Sequence, residues 1–261
     1  MCLAANNGLV GTIPSELFVL QQLTRVSLAE NALSGSIPGV VLSNWSRLEK
    51  LDLISNRFNM TIPQEVYGLS SLRLLALGRN SVHGTISSAM SQLSKLTSLD
   101  VSFNDLTGTV PPAMLTGLTQ LQTLSMRNNA LSGTIPTEVG AMDQLQFLFA
   151  QSNLMVGTIP SEMGSLSSLT ALQLNFVNLT GTLPTELGNL DKLFRLNVHL
   201  TRLSGTVPQE FARMTTLERL AMENTQLVGN VSFLCETLPR LSIFRVDLQD
   251  MECSCCQCCN A

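Results

Sequence analysis

Asparagine recurs at positions 31, 56, 80, 104, 129 and 153, each time inside a variant of the phrase L-x-L-x-x-N-x-L-x-G. The same slot can be followed upstream to 7 and downstream to 177, 201, 225 and 249, and every interval is 24 or 25 residues. A unit that short cannot bury its own leucines. Repeated at a fixed period with leucines at L-x-x-L-x-x-L-x-L, it must stack against copies of itself, which is the sequence mark of a solenoid. The reading is therefore an α/β solenoid of about ten 24-residue repeats over residues 1–234, followed by a capping segment and cysteine-rich tail over 235–261.

One repeat shows how a coil is built. In "LDKLFRLNVHLTRLSGTVPQE" Leu196 and Val198 alternate with Arg195, Asn197 and His199, so a short strand turns the first pair inward and the others outward. Stacked strands make a parallel sheet, expected on the concave face. Leu203 and Val207 return to the core, Gly205 permits a close turn, and Pro208 is placed at the first position of a short helical turn. A glutamate follows two residues after such prolines at Glu16, Glu65, Glu138, Glu162, Glu186 and Glu210. Once-per-coil carboxylates in a first turn complement the positive end of that turn and do not make acid/base pairs. Met126, Met142, Met214 and Met222 stand in leucine slots as core fillers.

The full phrase, L-x-x-L-x-x-L-x-L-x-x-N-x-L-[ST]-G-x-[IV]-P-x-E, resembles the plant-type leucine-rich repeat of receptor-kinase ectodomains and polygalacturonase-inhibitor-like proteins, over roughly residues 3 to 248. The resemblance implies a right-handed, twisted superhelix that binds partners and does not transform substrates. The tail "CSCCQCC" is similar to the cysteine-rich ends of some secreted algal leucine-rich-repeat proteins, although Leu248 stands where a further cysteine is expected.

Composition narrows the function classes. With 44% apolar residues the chain has ample core, and a net charge of −4 with 13% charged residues provides no basic stripe for nucleic acid. The charge-free run 163–185 is rich in Ser, Thr, Asn and Gly and contains Pro184, so no membrane span is read. The first ten residues, "MCLAANNGLV", contain no signal sequence and start in mid-phrase. The expectation is a truncated start, a signal upstream, an extracellular or cell-surface location, and a first coil that frays or self-associates. Cys235, Cys253, Cys255, Cys256, Cys258 and Cys259 read as disulfide candidates, with a thiolate metal site as the alternative. N-x-[ST] sequons at Asn44, Asn59, Asn178 and Asn230 are candidate glycan acceptors in a secreted chain.

No phosphate loop, zinc-protease, hydrolase or dinucleotide motif occurs, and there are only two histidines. A non-enzymatic chain with no cofactor and no metal site is expected, with binding as the working function. Outward strand positions form columns. Small or mixed residues fill them early: Arg25, Ser27, Lys50, Asp52, Ala76, Gly78, Asp100 and Ser102. Candidate ligand contacts come later: Arg127, Phe147, Phe149, Gln151, Gln173, Asn175, Arg195, Asn197, His199, Arg219 and Glu223. Aromatic and arginine side chains dominate binding hot spots, which singles out Phe147, Phe149 and Arg195 together with His199. The expected partner is a protein, peptide or glycan, or a co-receptor. The alternatives are an adhesive, structural solenoid or a receptor-kinase ectodomain fragment. Finally, Val177, Thr201 and Thr225 occupy the asparagine slot, so the asparagine ladder is expected to lapse over these three repeats.

Overall fold

A computed structural model describes residues 2–253, which cluster into two compact units divided between Leu131 and Ser132. Both units are built in the same way. The L-x-L segments form three-residue strands: Arg25–Ser27, Lys50–Asp52, Leu74–Ala76, Ser98–Asp100 and Thr123–Ser125 in the first unit, after a two-residue start at Cys2–Leu3. In the second they are Phe147–Phe149, Ala171–Gln173, Arg195–Asn197, Arg219–Ala221 and Ile243–Arg245. Neighbours pair in parallel and in strict register, so that Leu148, Leu172, Leu196, Leu220 and Phe244 lie side by side. All five are buried, as period-two alternation requires. The four methionines in leucine slots are buried as well.

After each asparagine slot the chain forms a second short parallel strand, for example Asp105–Gly108 or Asn178–Gly181. The glycine that ends it is fixed by its neighbour. Gly181 has φ +77°, and a Cβ there would meet Thr158 Cγ2 of the preceding coil at 2.8 Å. The threonine methyl occupies the space that a side chain would need.

Proline then differs from expectation. Pro208 does not enter the helical turn but precedes it, with φ −60° and ψ 140°, and its carbonyl accepts from Phe211 N–H at 3.1 Å. Pro14, Pro63, Pro136, Pro160 and Pro184 do the same. The extended ψ redirects the chain while the fixed φ costs no donor in the turn. In seven of the eight 24-residue intervals the turns are five-residue 3-10 segments such as Thr185–Asn189 and Gln209–Arg213, six of them with a glutamate in the first turn; the eighth, 225 to 249, holds a six-residue α-helix. The two 25-residue intervals, 31 to 56 and 104 to 129, hold six-residue α-helices instead: α1 (Gly39–Asn44) and α2 (Pro112–Gly117). A third short helix, α3 (Ser232–Thr237), packs on the turn before it.

The asparagine slot binds coil to coil. Asn104, 9% exposed, accepts from Val82 N–H at 2.8 Å and donates to the carbonyls of Leu77, Val101 and Ser102 at 3.0, 3.1 and 3.1 Å. Asn31, Asn56, Asn80 and Asn129 repeat the pattern. It lapses as expected at Val177. Thr201 and Thr225 use their hydroxyls on Val198 and Met222, carbonyls of their own coils, at 2.8 Å each. Among the described residues, no side chain of the next coil accepts from Met155 N–H, the counterpart of Val82 N–H.

At the start of the chain Val10 and Val19 are 76% and 62% exposed. At the other end the strand stacking runs on to Met251–Glu252. Cys235 and Cys253 are both disulfide-bonded. Cys255, Cys256, Cys258 and Cys259 lie outside the described residues.

Candidate functional site

Outward strand positions fall in columns because each coil repeats the same backbone path. In the second unit the position two before the asparagine slot carries Gln151, Asn175, His199, Glu223 and Asp247. The position four before it carries Phe149, Gln173, Asn197, Ala221 and Arg245, and the position six before it carries Phe147, Ala171, Arg195, Arg219 and Ile243. Backbone bonds hold the columns together: Ser152 N–H donates to Asn175 O at 3.0 Å, Phe176 N–H to His199 O at 3.2 Å, and Leu200 N–H to Glu223 O at 3.0 Å.

Phe147 is 37% exposed and Phe149 is half-buried, their ring centroids 6.1 Å apart. Gln151 Nε2 donates to Gln173 Oε1 at 3.0 Å. Arg195 and Arg219 lie with guanidinium carbons 5.9 and 5.7 Å from the Phe194 ring, a cationic pair on one aromatic. His199 is hydrogen-bonded through Nδ1 to Asn197 Oδ1, and its ring meets Phe176 edge-on at 5.0 Å. Burial lowers the His199 pKa from the ordinary imidazole value; Glu223 opposes this and Arg245 reinforces it. Glu223 Oε1 is 3.7 Å from Arg245 Nη1, a loose pair.

Of the eleven candidate contacts, ten stand on four adjacent coils of this unit, six on the strands and four just beyond them. Arg127 belongs to the first unit, where it and Arg79 lie 5.0 and 4.4 Å from the Phe103 ring. The early columns there are internally satisfied: Lys50 pairs with Asp52 at 3.1 Å, and Ser27 donates to the same carboxylate at 3.1 Å.

Sequence reading missed Phe103, Arg79, Leu200 and Arg245 as face residues. The signal was available in the residue just before the asparagine slot. That position takes left-handed φ in the ten coils from Asn6 to Asn224, including 53° at Phe103, 56° at Phe176 and 52° at Leu200. Bulky side chains there are costly relative to Asn or Gly, and Phe176 and Leu200 are 51% and 41% exposed. They form an apolar ridge beside the polar column.

The four sequons separate by environment. Asn59 and Asn178 are exposed, and their side chains make no hydrogen bond among the described residues. Asn44 donates to Val40 O at 2.8 Å from the end of α1, and Asn230 bonds Ser232 N–H and Glu252. A separate groove of about 530 Å³ beside α1 is lined by Leu42, Ser43, Gln64, Glu65, Tyr67 and Gln92. It lies where the six-residue helix meets a five-residue turn, and burial there raises the Tyr67 pKa.

Known proteins share this architecture. The leucine rich repeat family profile matches residues 46–106 and 94–155. Receptor-like protein 32 of Arabidopsis thaliana is 37% identical over 123 residues, which is 47% of this chain and 14% of that protein. Two solved structures superpose on almost the whole chain. One is the Arabidopsis receptor kinase HAESA in complex with the peptide hormone IDA and the co-receptor SERK1, with TM-score 0.87 and 31% identity over 93% of this chain and 40% of that one. The other is the plant peptide hormone receptor RGFR1 in complex with RGF2, with TM-score 0.86 and 30% identity over 93% and 38%. The chain thus spans about a seventh of the curated relative. No helix among the described residues is long and apolar enough to cross a membrane. The repeat phrase, the parallel coils and these likenesses together show a leucine-rich-repeat solenoid, similar to those of plant receptor ectodomains.

Proposed function

We propose that this chain is a non-enzymatic recognition segment of an extracellular, receptor-like leucine-rich-repeat protein, and that it binds a peptide ligand across the strand face of residues 147–245. The carrying observation is the concentration on that one face of Phe147, Phe149 and Phe176, the Arg195–Phe194–Arg219 stack and a half-buried imidazole. Rigid aromatics and planar cations held on strands need little ordering to bind. Peptide-hormone complexes among the structural neighbours support the ligand class. In this reading the face is concave, and Asn59 and Asn178 carry N-glycans on the second-strand side, clear of the ligand.

The test is capture of synthetic peptides and glycans on arrays by the secreted protein and by a Phe149→Ala, Arg195→Ala double variant. Two hot-spot truncations should weaken capture about 100-fold or more. Unchanged capture would remove the strand face as the site. A structural or adhesive role is the second reading, favoured by a column of exposed hydroxyls at Thr134, Thr158, Thr182 and Thr206. It predicts no array ligand at all.

A further inference from the structure

The groove beside α1 is built by departures from the repeat. In the turns Thr137–Ala141, Ser161–Ser165 and Thr185–Asn189 the fourth residue is Gly140, Gly164 or Gly188. A Cβ at Gly140 or Gly188 would meet the carbonyl oxygen of Glu162 or Glu210, in the following turn, at 2.6 or 2.5 Å, so only glycine permits that spacing. The turn Gln64–Gly68 instead carries Tyr67 in the fourth place, 8% exposed. The turn after it, Ser88–Gln92, changes in step: Ala89 stands where the other five-residue turns carry glutamate, and Ser87 stands where proline precedes them. Tyr67 is hydrogen-bonded to Ser87. A phenol ring held across the gap keeps these turns from closing to the glycine spacing, and the groove of about 530 Å³ opens beside it.

Glu65 departs from the repeat as well. Glu138, Glu162 and Glu186 each accept from the hydroxyl of the residue before them, Thr137, Ser161 and Thr185, at 3.4, 3.3 and 3.1 Å. Gln64 precedes Glu65 and has no hydroxyl to give. The Glu65 carboxylate leans over Gly39, where a Cβ would lie 2.8 Å from Oε1, and among the described residues it has no hydrogen bond or ion pair. A Cβ at Gly68, also on the groove, would meet nothing within 4 Å. The wall thus carries an uncommitted acceptor beside open space.

The lining selects the chemistry of a ligand. Leu42, Leu69 and Tyr67 are buried and support the wall. What a ligand meets is Ser43, Ser46, Gln64 and Gln92, all exposed, with Glu65 and Ala89 half-buried. Among the described residues no lysine, arginine or histidine lines the groove, so an anion would face Glu65 without a partner. A metal ion would find one carboxylate where several oxygen ligands are needed. An ammonium group would use Glu65 and leave the amides and hydroxyls idle. Those groups both donate and accept, and their complement is a ligand whose own hydroxyls do the same. The volume falls within the range of about 300–1,000 Å³ usual for small-molecule sites.

We propose that this groove binds a neutral sugar, a short oligosaccharide held by Glu65, Gln64 and Gln92 and by the hydroxyls of Ser43 and Ser46, with Tyr67 as the strut that keeps the site open. The site belongs to the turn side of the first unit and is independent of the strand-face reading.

Isothermal titration of the secreted protein tests it with neutral cellotetraose and mannotetraose, anionic tetragalacturonate and cationic tetraglucosamine. Three variants accompany wild type: Glu65→Ala, Gly68→Phe, which places a ring in the open space, and the strand-face pair Phe149→Ala, Arg195→Ala. Gly68 has no positive φ, so the phenylalanine leaves the backbone unstrained, and thermal melts check this. At least one neutral tetrasaccharide should bind saturably, at least tenfold more weakly to Glu65→Ala and not at all to Gly68→Phe, while the strand-face variant binds as wild type does. No binding of either neutral sugar, tighter binding of a charged one, or undiminished binding by Gly68→Phe would overturn the proposal. If Gly68→Phe does not fold, Glu65→Ala decides alone, and an unreduced affinity there overturns it. Peptide capture by Glu65→Ala should equal wild type, so a failure of the groove leaves the strand-face reading standing.

Discussion

Val177 interrupts the asparagine ladder, and the Val177→Asn substitution measures what the ladder contributes. The partners can be named from Asn104, because both slots sit on the same coil path. The introduced amide would accept from Met155 N–H and donate to two of the carbonyls of Ala150, Leu174 and Asn175, as Asn104 accepts from Val82 N–H and donates to Leu77, Val101 and Ser102. Three new bonds at about 1 kcal/mol each give about 3 kcal/mol, and pairing the orphaned Met155 N–H adds about 1 more. Against this stands the loss of a valine side chain that is 5% exposed. Its burial stabilises by about 2 kcal/mol. The net is a gain of about 2 kcal/mol, a rise of about 4–8 °C in Tm for a chain of this size. Urea unfolding should show a higher midpoint at an unchanged slope, and amide exchange at Met155 should slow. A lower midpoint at the same slope would refute the reasoning: the coil would then have closed around valine, with no room for the amide.

The reverse change, Asn104→Val, should cost about 3 kcal/mol, because it leaves the buried Val82 N–H without its acceptor and removes the amide's bonds to three carbonyls, which keep their other donors; urea midpoints measure it. Gly181→Ala should destabilise by about 2 kcal/mol or more, combining positive φ with the 2.8 Å approach to Thr158 Cγ2. Adding Thr158→Ser removes the methyl and should recover part of that loss in thermal melts. For pH, His199 has a folded pKa lowered from 6.5, so the unfolded chain binds its proton more readily. This contribution is fully present above pH 6.5 and is lost as pH falls toward the folded value, and His199→Gln should flatten that slope in the stability profile.

The stacking, the core and the columns were legible because they follow from the period alone. Once Asn104 and Asn129 are in register, Leu99 and Leu124 must be too, and every outward residue inherits a column. What was illegible depends on energies that a repeat phrase does not encode. Whether Pro208 begins a turn or precedes it is decided by one ψ angle. The role of Leu200 hides in a position that tolerates Asn or Gly more cheaply, so its bulk carries meaning only when the left-handed backbone is seen. Gln151 Oε1 and Asn175 Oδ1 have no donor among the described residues, which depends on how side chains settle on neighbouring strands, and no spacing rule reports it. Columns of outward residues were readable, but their hydrogen-bond partners were not.

The two six-residue helices have a bearing on how such chains change over time. Across the 25-residue intervals that hold α1 and α2, the strands still pair without a slip, Arg25 to Lys50 and Ser98 to Thr123. The surplus residue is absorbed where five-residue 3-10 turns widen to α, on the side away from the columns. A single-codon insertion at that edge is therefore silent for the strand face. Length can drift on one margin of the coil while the recognition surface on the other is rewritten residue by residue, and the two histories need not constrain each other.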